Sequence, residues 1–260
     1  MNFKNLKDKL DIAPLIGFTL GGLCVITVLL GEGRKLGAFI SIDAFAVVVG
    51  GSLGAALIVL NSRDFKTILH AIPSLFGWFD DPRPRLAARL KLMLATHRRH
   101  GRLRLQDHLK EIKDPVLKTA VTQFVDGTPI DIILQVLDTE KDRVRRRGEV
   151  TSVFFENLGG FAPTFGIVGT VISLVSVLSH LDEPTLLAQG VAEAFIATFY
   201  GVLFANLVFL PLSMRNSNLT HYNVETIDML AVGLRALSKE EHPLLLSERL
   251  GVFLVGAVES

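Results

Sequence analysis

Four stretches of this chain are apolar enough and long enough to cross a lipid bilayer, at about Ile12–Leu30, Phe39–Leu60, Val153–Leu178 and Val191–Leu212. At 1.5 Å per residue, about 20 helical residues cover a hydrocarbon core of roughly 30 Å. None of the four carries an Asp, Glu, His, Lys or Arg near its middle. Apolar residues make up 49% of the 260-residue chain and charged residues only 20%, and the excess is clustered in these runs. No strand pattern approaches them in strength. The expected class is therefore an all-α polytopic membrane protein with four transmembrane helices and a helical cytoplasmic domain. The first run is followed at once by a second span and lacks a small-residue cleavage motif, so it reads as a retained anchor. Cys24, alone inside that run, excludes a disulfide framework and a cysteine-ligated metal site.

Charge sets the expected orientation. Arg143, Arg145, Arg146 and Arg147 stand directly before the third span, Arg63 and Lys66 follow the second, and Lys4, Lys7 and Lys9 precede the first. The positive-inside rule places these groups, and hence both termini, in the cytoplasm. Arg34 and Lys35 in the first loop argue the other way and are outnumbered. The acidic turn Ser179–Pro184 suits the outer side. Between Asn61 and Glu149 there are 18 Lys and Arg against 12 Asp and Glu. The expected organisation is a tail and peripheral helices over 1–60, a cytoplasmic helical domain over 61–150, the third and fourth spans over 151–212, and a cytoplasmic C-terminal tail over 213–260. Helical spacing marks Leu86–Thr96, and Thr128-Pro129-Ile130-Asp131 opens a helix with an N-cap, a first-turn proline and an acid. That helix can run on into the third span. Ile227, Leu230, Leu234 and Leu237 give Val224–Leu237 an amphipathic pattern, and Gly251–Val258 is apolar but too short to span.

What the spans hold in place of charge is hydroxyl and glycine. Gly166, Thr170 and Ser173 share one face of the third helix, preceded by Pro163; Ala194, Thr198, Gly201 and Ala205 share one face of the fourth. Helical rise puts Thr170 about 12 Å and Thr198 about 10 Å below the outer ends of their spans. The two hydroxyls can therefore line one belt, or serve only to pack helices closely and satisfy local carbonyls. Hydroxyl oxygens can coordinate a cation or water but do not exchange protons near neutral pH. Ion transfer would need a carboxylate, and an ion pathway usually carries an ionisable group of its own. Here the spans supply none at that depth. Glu156 near the inner mouth and Glu193 near the outer one either tune local ion concentration or sit plainly at the interface. Pro163 removes a backbone hydrogen bond and is expected to kink its helix.

The run Arg98-Arg99-His100-Gly101-Arg102-Leu103-Arg104 lacks aromatic interleaving and is followed by Asp107, Glu111 and Asp114. A face that meets another protein fits it better than a nucleic-acid site; a solvated helix and turn is the plain alternative. There is no nucleotide loop, His-rich metal site or catalytic triad, so no enzyme is expected. The glycines from Gly159 to Gly169 do not follow a strand and form no phosphate cradle.

These residues resemble those of a known family. Gly159-Gly160-Phe-Ala-Pro163-Thr-Phe-Gly166-Ile-Val-Gly169-Thr170, then Ala197-Thr198-Phe-Tyr200-Gly201 and Ala205-Asn206 with Pro211, are similar to the signature of the MotA/PomA flagellar stator subunits, within the MotA/TolQ/ExbB superfamily. Val49-Gly50-Gly51-Ser52-Leu53, Val125-Asp126-Gly127 and Glu241-His242-Pro243 extend the similarity over nearly the whole chain. The resemblance implies an inner-membrane ring of five copies around two copies of a MotB-like partner whose membrane helix carries an essential Asp. It implies an ion pathway along Thr170, Thr198, Pro163, Gly166, Gly169, Tyr200, Gly201 and Pro211. It also implies a cytoplasmic contact with the rotor protein FliG. For that contact, Arg98 or Arg99 matches the basic position, Gln106 falls where an acid is usual, and Asp107 and Glu111 are the available acids. A threonine at position 170 tilts the expected cation to sodium over the proton, with a site at Thr170, Thr198 and the partner's Asp. Transport energisation in the ExbB/TolQ manner, with three spans and an external N-terminus, and a non-conducting scaffold are the alternatives.

Overall fold

The computed structural model describes residues 12–31, 39–77, 81–179, 182 and 184–254. The N-terminal lysines, the first loop with Arg34 and Lys35, much of the Ser179–Pro184 turn and the end of Gly251–Val258 lie outside the described residues. Eight helices carry the architecture among those described: α1 Ile12–Gly31, α2 Ile42–Val59, α3 Phe65–Phe76, α4 Arg83–His100, α5 Pro115–Val125, α6 Ile130–Leu178, α7 Pro184–Ser238 and α8 Pro243–Gly251. No strand occurs among the described residues. Helices α2, α6 and α7 each hold a stretch long and apolar enough to cross a membrane. Helix α1, with 20 residues, has the length to do the same, although its qualifying apolar piece is Ala13–Thr27. The chain is a polytopic helical membrane protein.

The fold divides into two compact units, one built from the described residues of Met1–Phe79 and Glu149–Ser217, the other from those of Asp80–Gly148 and Asn218–Ser260. Helices α6 and α7 contribute to both.

In the first unit, helices approach through small residues. A Cβ placed on Gly201 would lie 2.6 Å from the carbonyl oxygen of Ala162 and 3.0 Å from the Cα of Pro163; one on Gly166 would lie 2.9 Å from Ala197 O. Only a residue with no side chain lets the α6 and α7 backbones meet this closely. Ala44 of α2 packs on Ile196 and Ala197 of α7. Two π-turns interrupt the ladders, at Ala46–Gly50 in α2 and Ala205–Phe209 in α7. The second ends two residues before Pro211, whose ring has no N–H to give. Helix α7 continues through Pro211 without a break. Likewise α6 stays helical on both sides of Pro163. Lower on the same two helices, Ser213 Oγ donates to Ser152 O at 2.8 Å and Asn216 Nδ2 to Ser152 Oγ at 2.8 Å.

The second unit has an aliphatic core of Leu90, Met93, Leu94, Leu105, Leu117, Val121, Ile133, Met229, Leu230, Leu234, Leu237, Leu246 and Leu250, all fully buried or nearly so. The segment read from the sequence as a C-terminal tail thus contributes α7 residues and α8 to this core. Its helices stop at glycines in the left-handed region, Gly101 at φ +79° after α4 and Gly127 at φ +94° after α5. Asp114 caps α5 by accepting from Leu117 N at 2.8 Å, with Pro115 in the first turn.

Candidate functional site

The two threonines singled out by depth touch. Thr170 Oγ1 and Thr198 Oγ1 are 2.6 Å apart, and Thr170 Oγ1 also lies 2.9 Å from Ala194 O and 3.0 Å from Gly166 O. Thr170 has one hydroxyl hydrogen for three acceptors within 3.0 Å, and either hydroxyl can be the donor across the pair. In either direction the two hydroxyl oxygens together keep lone pairs that no donor among the described residues occupies. The result is a half-buried cluster of four oxygens, two hydroxyl and two carbonyl, with no formal charge. Its position depends on the glycine contact one turn away: Gly166 and Gly201 bring the helix axes close enough for short side chains to meet. Gly169 extends the seam, facing the Cβ of Ala197 at 2.8 Å and Val47 at 3.6 Å as measured from an added Cβ.

Not every residue expected in the pathway joins this cluster. Tyr200 turns to α2: its hydroxyl donates to Phe39 O at 2.6 Å and accepts from Ser41 N at 3.3 Å, while its ring meets Phe199 and Phe204. It fastens the start of α2 to α7. Pro163 stands beside Gly201 at the crossing, whereas Pro211 is exposed and lies 13 residues beyond Thr198 along α7. Glu156 and Glu193 are both exposed. Ser173 is half-buried one turn beyond Thr170.

The residues expected at a rotor contact fall at and beyond the end of α4. Arg98 and Arg99 are exposed in its last turn, with Gln106 and Asp107 exposed on the short helix Gln106–Leu109. Asp107 receives Arg104 Nη1 at 3.3 Å. Glu111 is held in an ion pair by Arg89, which also reaches the Glu111 carbonyl, so its carboxylate is already engaged within the chain.

Sequence reasoning missed a buried cation. Arg83 is 5% exposed, forked onto Asp81 at 2.7–3.0 Å, paired with Glu225 at 2.7 Å and set over the Tyr222 ring at 4.7 Å. The hydrogen bond to Asp81 is the main cause that raises the Arg83 guanidinium above its ordinary value. Burial alone would push Asp81 up, but the hydrogen bonds and charge of Arg83 together hold it below the usual carboxylate range. Lys141 is a second bridge, to Asp138 at 2.8 Å and Asp228 at 3.1 Å. Its ammonium is raised mainly by the Asp138 hydrogen bond and next by the Asp228 one. The Asp81-Pro82-Arg83 sequence was the available signal for the first; partners 87 and 142 positions away left none for the others.

The fold and seam define a class: a multi-span helical membrane protein whose paired helices enclose an uncharged oxygen cluster. Residues 108–229 match the MotA/TolQ/ExbB proton channel family. YtxD of Bacillus subtilis strain 168 is 30% identical over 247 residues, covering 94% of this chain and 91% of that protein. Motility protein A of Borreliella burgdorferi is 27% identical over 249 residues, covering 94% of each. The structure described as C. jejuni MotAB has the same fold, with a TM-score of 0.88 over 94% of this chain and 96% of that one at 23% identity. The chain belongs to the MotA/PomA family of the MotA/TolQ/ExbB proton channel proteins.

Proposed function

We propose that this chain is the ion-pathway subunit of a flagellar motor stator, seated in the inner membrane with both termini in the cytoplasm. Several copies, five on our reading, surround two copies of a MotB-like protein whose transmembrane Asp carries the titratable charge. The observation that carries the proposal is the Thr170–Thr198 pair: a polar, uncharged oxygen cluster held at a glycine crossing within the membrane unit. A cation resting on a partner carboxylate beside such a wall neutralises a charge that a low-dielectric surface would otherwise repel. Loading and release then change which subunit the partner helix can face, and the ring steps around it. The exposed Arg98, Arg99 and Asp107 would push on the rotor protein FliG.

Sodium is the cation we put first. The Thr170 and Thr198 hydroxyls with the Ala194 and Gly166 carbonyls offer the hard oxygen donors that an alkali cation takes, and no group that exchanges a proton near neutral pH. Support for a motor role also comes from the relative named Motility protein A and the structural neighbour described as MotAB.

The test uses cells whose only stator contains this chain. Swimming speed should rise with external sodium at fixed pH, and Thr170→Val or Thr198→Val should abolish swimming while the protein still assembles. Speed that ignores sodium but collapses with a protonophore would reject the cation assignment. Full swimming in both valine variants would reject the pathway.

A further inference from the structure

Asn206 is a polar residue of the membrane unit that the pathway leaves unused. It is exposed on the π-turn of α7 and lines an apolar groove of about 280 Å³ with Gly21 and Val25 of α1 and Val202, Leu203 and Leu207 of α7. One amide hydrogen goes to Val202 O at 2.9 Å. The other hydrogen and the Oδ1 have no partner among the described residues. A primary amide facing hydrocarbon with most of its capacity unused is unfavourable, and membrane helices meet that cost by hydrogen bonding across to another helix.

The complementary group is on the same chain but on a different surface. Thr164 is exposed on α6, and its hydroxyl donates to Phe161 O at 2.7 Å, which leaves the oxygen free to accept. Around it Ile167, Val168 and Val171 are 59%, 45% and 54% exposed, an apolar face of the size and character that would fill the groove. The depths also correspond. Gly201 meets Pro163, and Gly159 meets the Leu210 side chain, so Asn206 lies level with the α6 turn just below Thr164. The remaining offset is on the order of 5 Å at 1.5 Å per residue. Because Cβ atoms tilt toward the N-terminus of their helix and α6 and α7 run in opposite directions, the two side chains lean toward each other in depth.

We infer that the α1–α7 groove receives the Thr164 face of α6 from a second copy of this chain, with the free amide hydrogen of Asn206 donating to that copy's Thr164 hydroxyl. The inference rests on the multi-copy reading above and adds the surfaces by which copies meet. Thr164 is thereby assigned to the joint between copies and Thr170 to the pathway.

The test co-expresses two full-length chains in a Cys24→Ala background, one with Asn206→Cys and one with Thr164→Cys, and treats membranes with a short thiol-to-thiol cross-linker. A cross-linked dimer that needs both chains is expected; either single variant alone should give none. Asn206→Leu should weaken association by about three- to thirty-fold per contact, whereas Asn206→Gln should largely retain it. The mass of the wild-type chain in mild detergent separates the two ways of failing. A multimer without the cross-link leaves the multi-copy reading standing and overturns this contact. A wild-type chain that is monomeric overturns both.

Discussion

The two units solve the packing problem with different residues. In the membrane unit the closest approach is backbone to backbone, at Gly166 and Gly201, and the side chains that decide geometry are the short hydroxyls Thr170, Thr198, Ser152 and Ser213. In the other unit the interior is Leu, Met and Ile, and the polar side chains that bridge distant segments are charged pairs, Arg83 with Asp81 and Glu225, and Lys141 with Asp228. The contrast follows from solvent. Burying leucine against leucine gains nothing when lipid is equally apolar, so helices in a bilayer associate through close contact and short hydrogen bonds. In water, burial of apolar area drives folding at roughly 25 cal/mol per Å², and ion pairs are tolerated where a guanidinium can be fully bonded. A neutral oxygen cluster is thus what the membrane unit can hold without a partner charge, which is why it suits a pathway completed by another chain.

The largest expected effect breaks the membrane side of this comparison. Gly201→Leu places a side chain where even a Cβ would sit 2.6 Å from the Ala162 carbonyl, an atom that cannot move aside. The α6–α7 crossing should open at a cost of about 3 kcal/mol or more, separating Thr170 from Thr198 and eliminating swimming. Gly54→Ala is the control, because nothing lies within 4 Å of a Cβ there. Thermal unfolding of the purified protein in detergent, read beside motility, checks both. Equal melting temperatures for Gly201→Leu and wild type would show that backbone proximity is not what holds these helices.

Much of this was legible beforehand, for identifiable reasons. Long apolar runs mark spanning helices because the bilayer fixes their length. The matched depths of Thr170 and Thr198 followed from helical rise alone, and α6 could be followed through Arg147 because no strong breaker precedes Pro163. The partners of long side chains were not legible. Tyr200 bonds the backbone of Phe39 and Ser41, 161 and 159 positions away, and a main-chain carbonyl carries no residue signature. Glu111 looked like a free acid because Arg89, 22 residues earlier, had no visible reason to claim it. The periodicity of Ile227, Leu230, Leu234 and Leu237 announced a buried stripe but not that it would meet Leu90 and Leu94.

A middle-sized effect sharpens the charged side of the comparison. Asp81→Asn leaves Arg83 buried with Glu225 as its remaining anion, and should cost about 1–3 kcal/mol. Because Asp81 is held below its ordinary range in the folded state, its stabilisation is complete above about pH 4, the unfolded value, and is lost as pH falls through the lower folded one. Arg83 and Lys141 are raised, so theirs is complete below their unfolded values and is lost only at strongly alkaline pH. Stability contributed by these groups should therefore be flat from pH 5 to 8, and the acid loss should be shallower in Asp81→Asn than in wild type. Denaturation followed at pH 3, 4 and 7 decides it; an equally steep acid loss in the variant would detach Asp81 from the effect.

The smallest effect separates stability from force. Arg104 and Asp107 are each 69% exposed and 3.3 Å apart, an arrangement worth about 0–1 kcal/mol in water and screened further by salt. A double-mutant cycle with Arg104→Ala and Asp107→Ala should find a coupling within that range and no change in melting temperature beyond about a degree. If the surface after α4 is where the chain meets a rotor, Asp107→Lys should nevertheless slow swimming, because reversing an exposed charge changes an encounter with another charged surface without touching the core. Slower swimming with unchanged stability would place the residue at a contact. Slower swimming that tracks a lost melting temperature would instead fold Asp107 into the same account as Asp81, as one more charge holding this unit together.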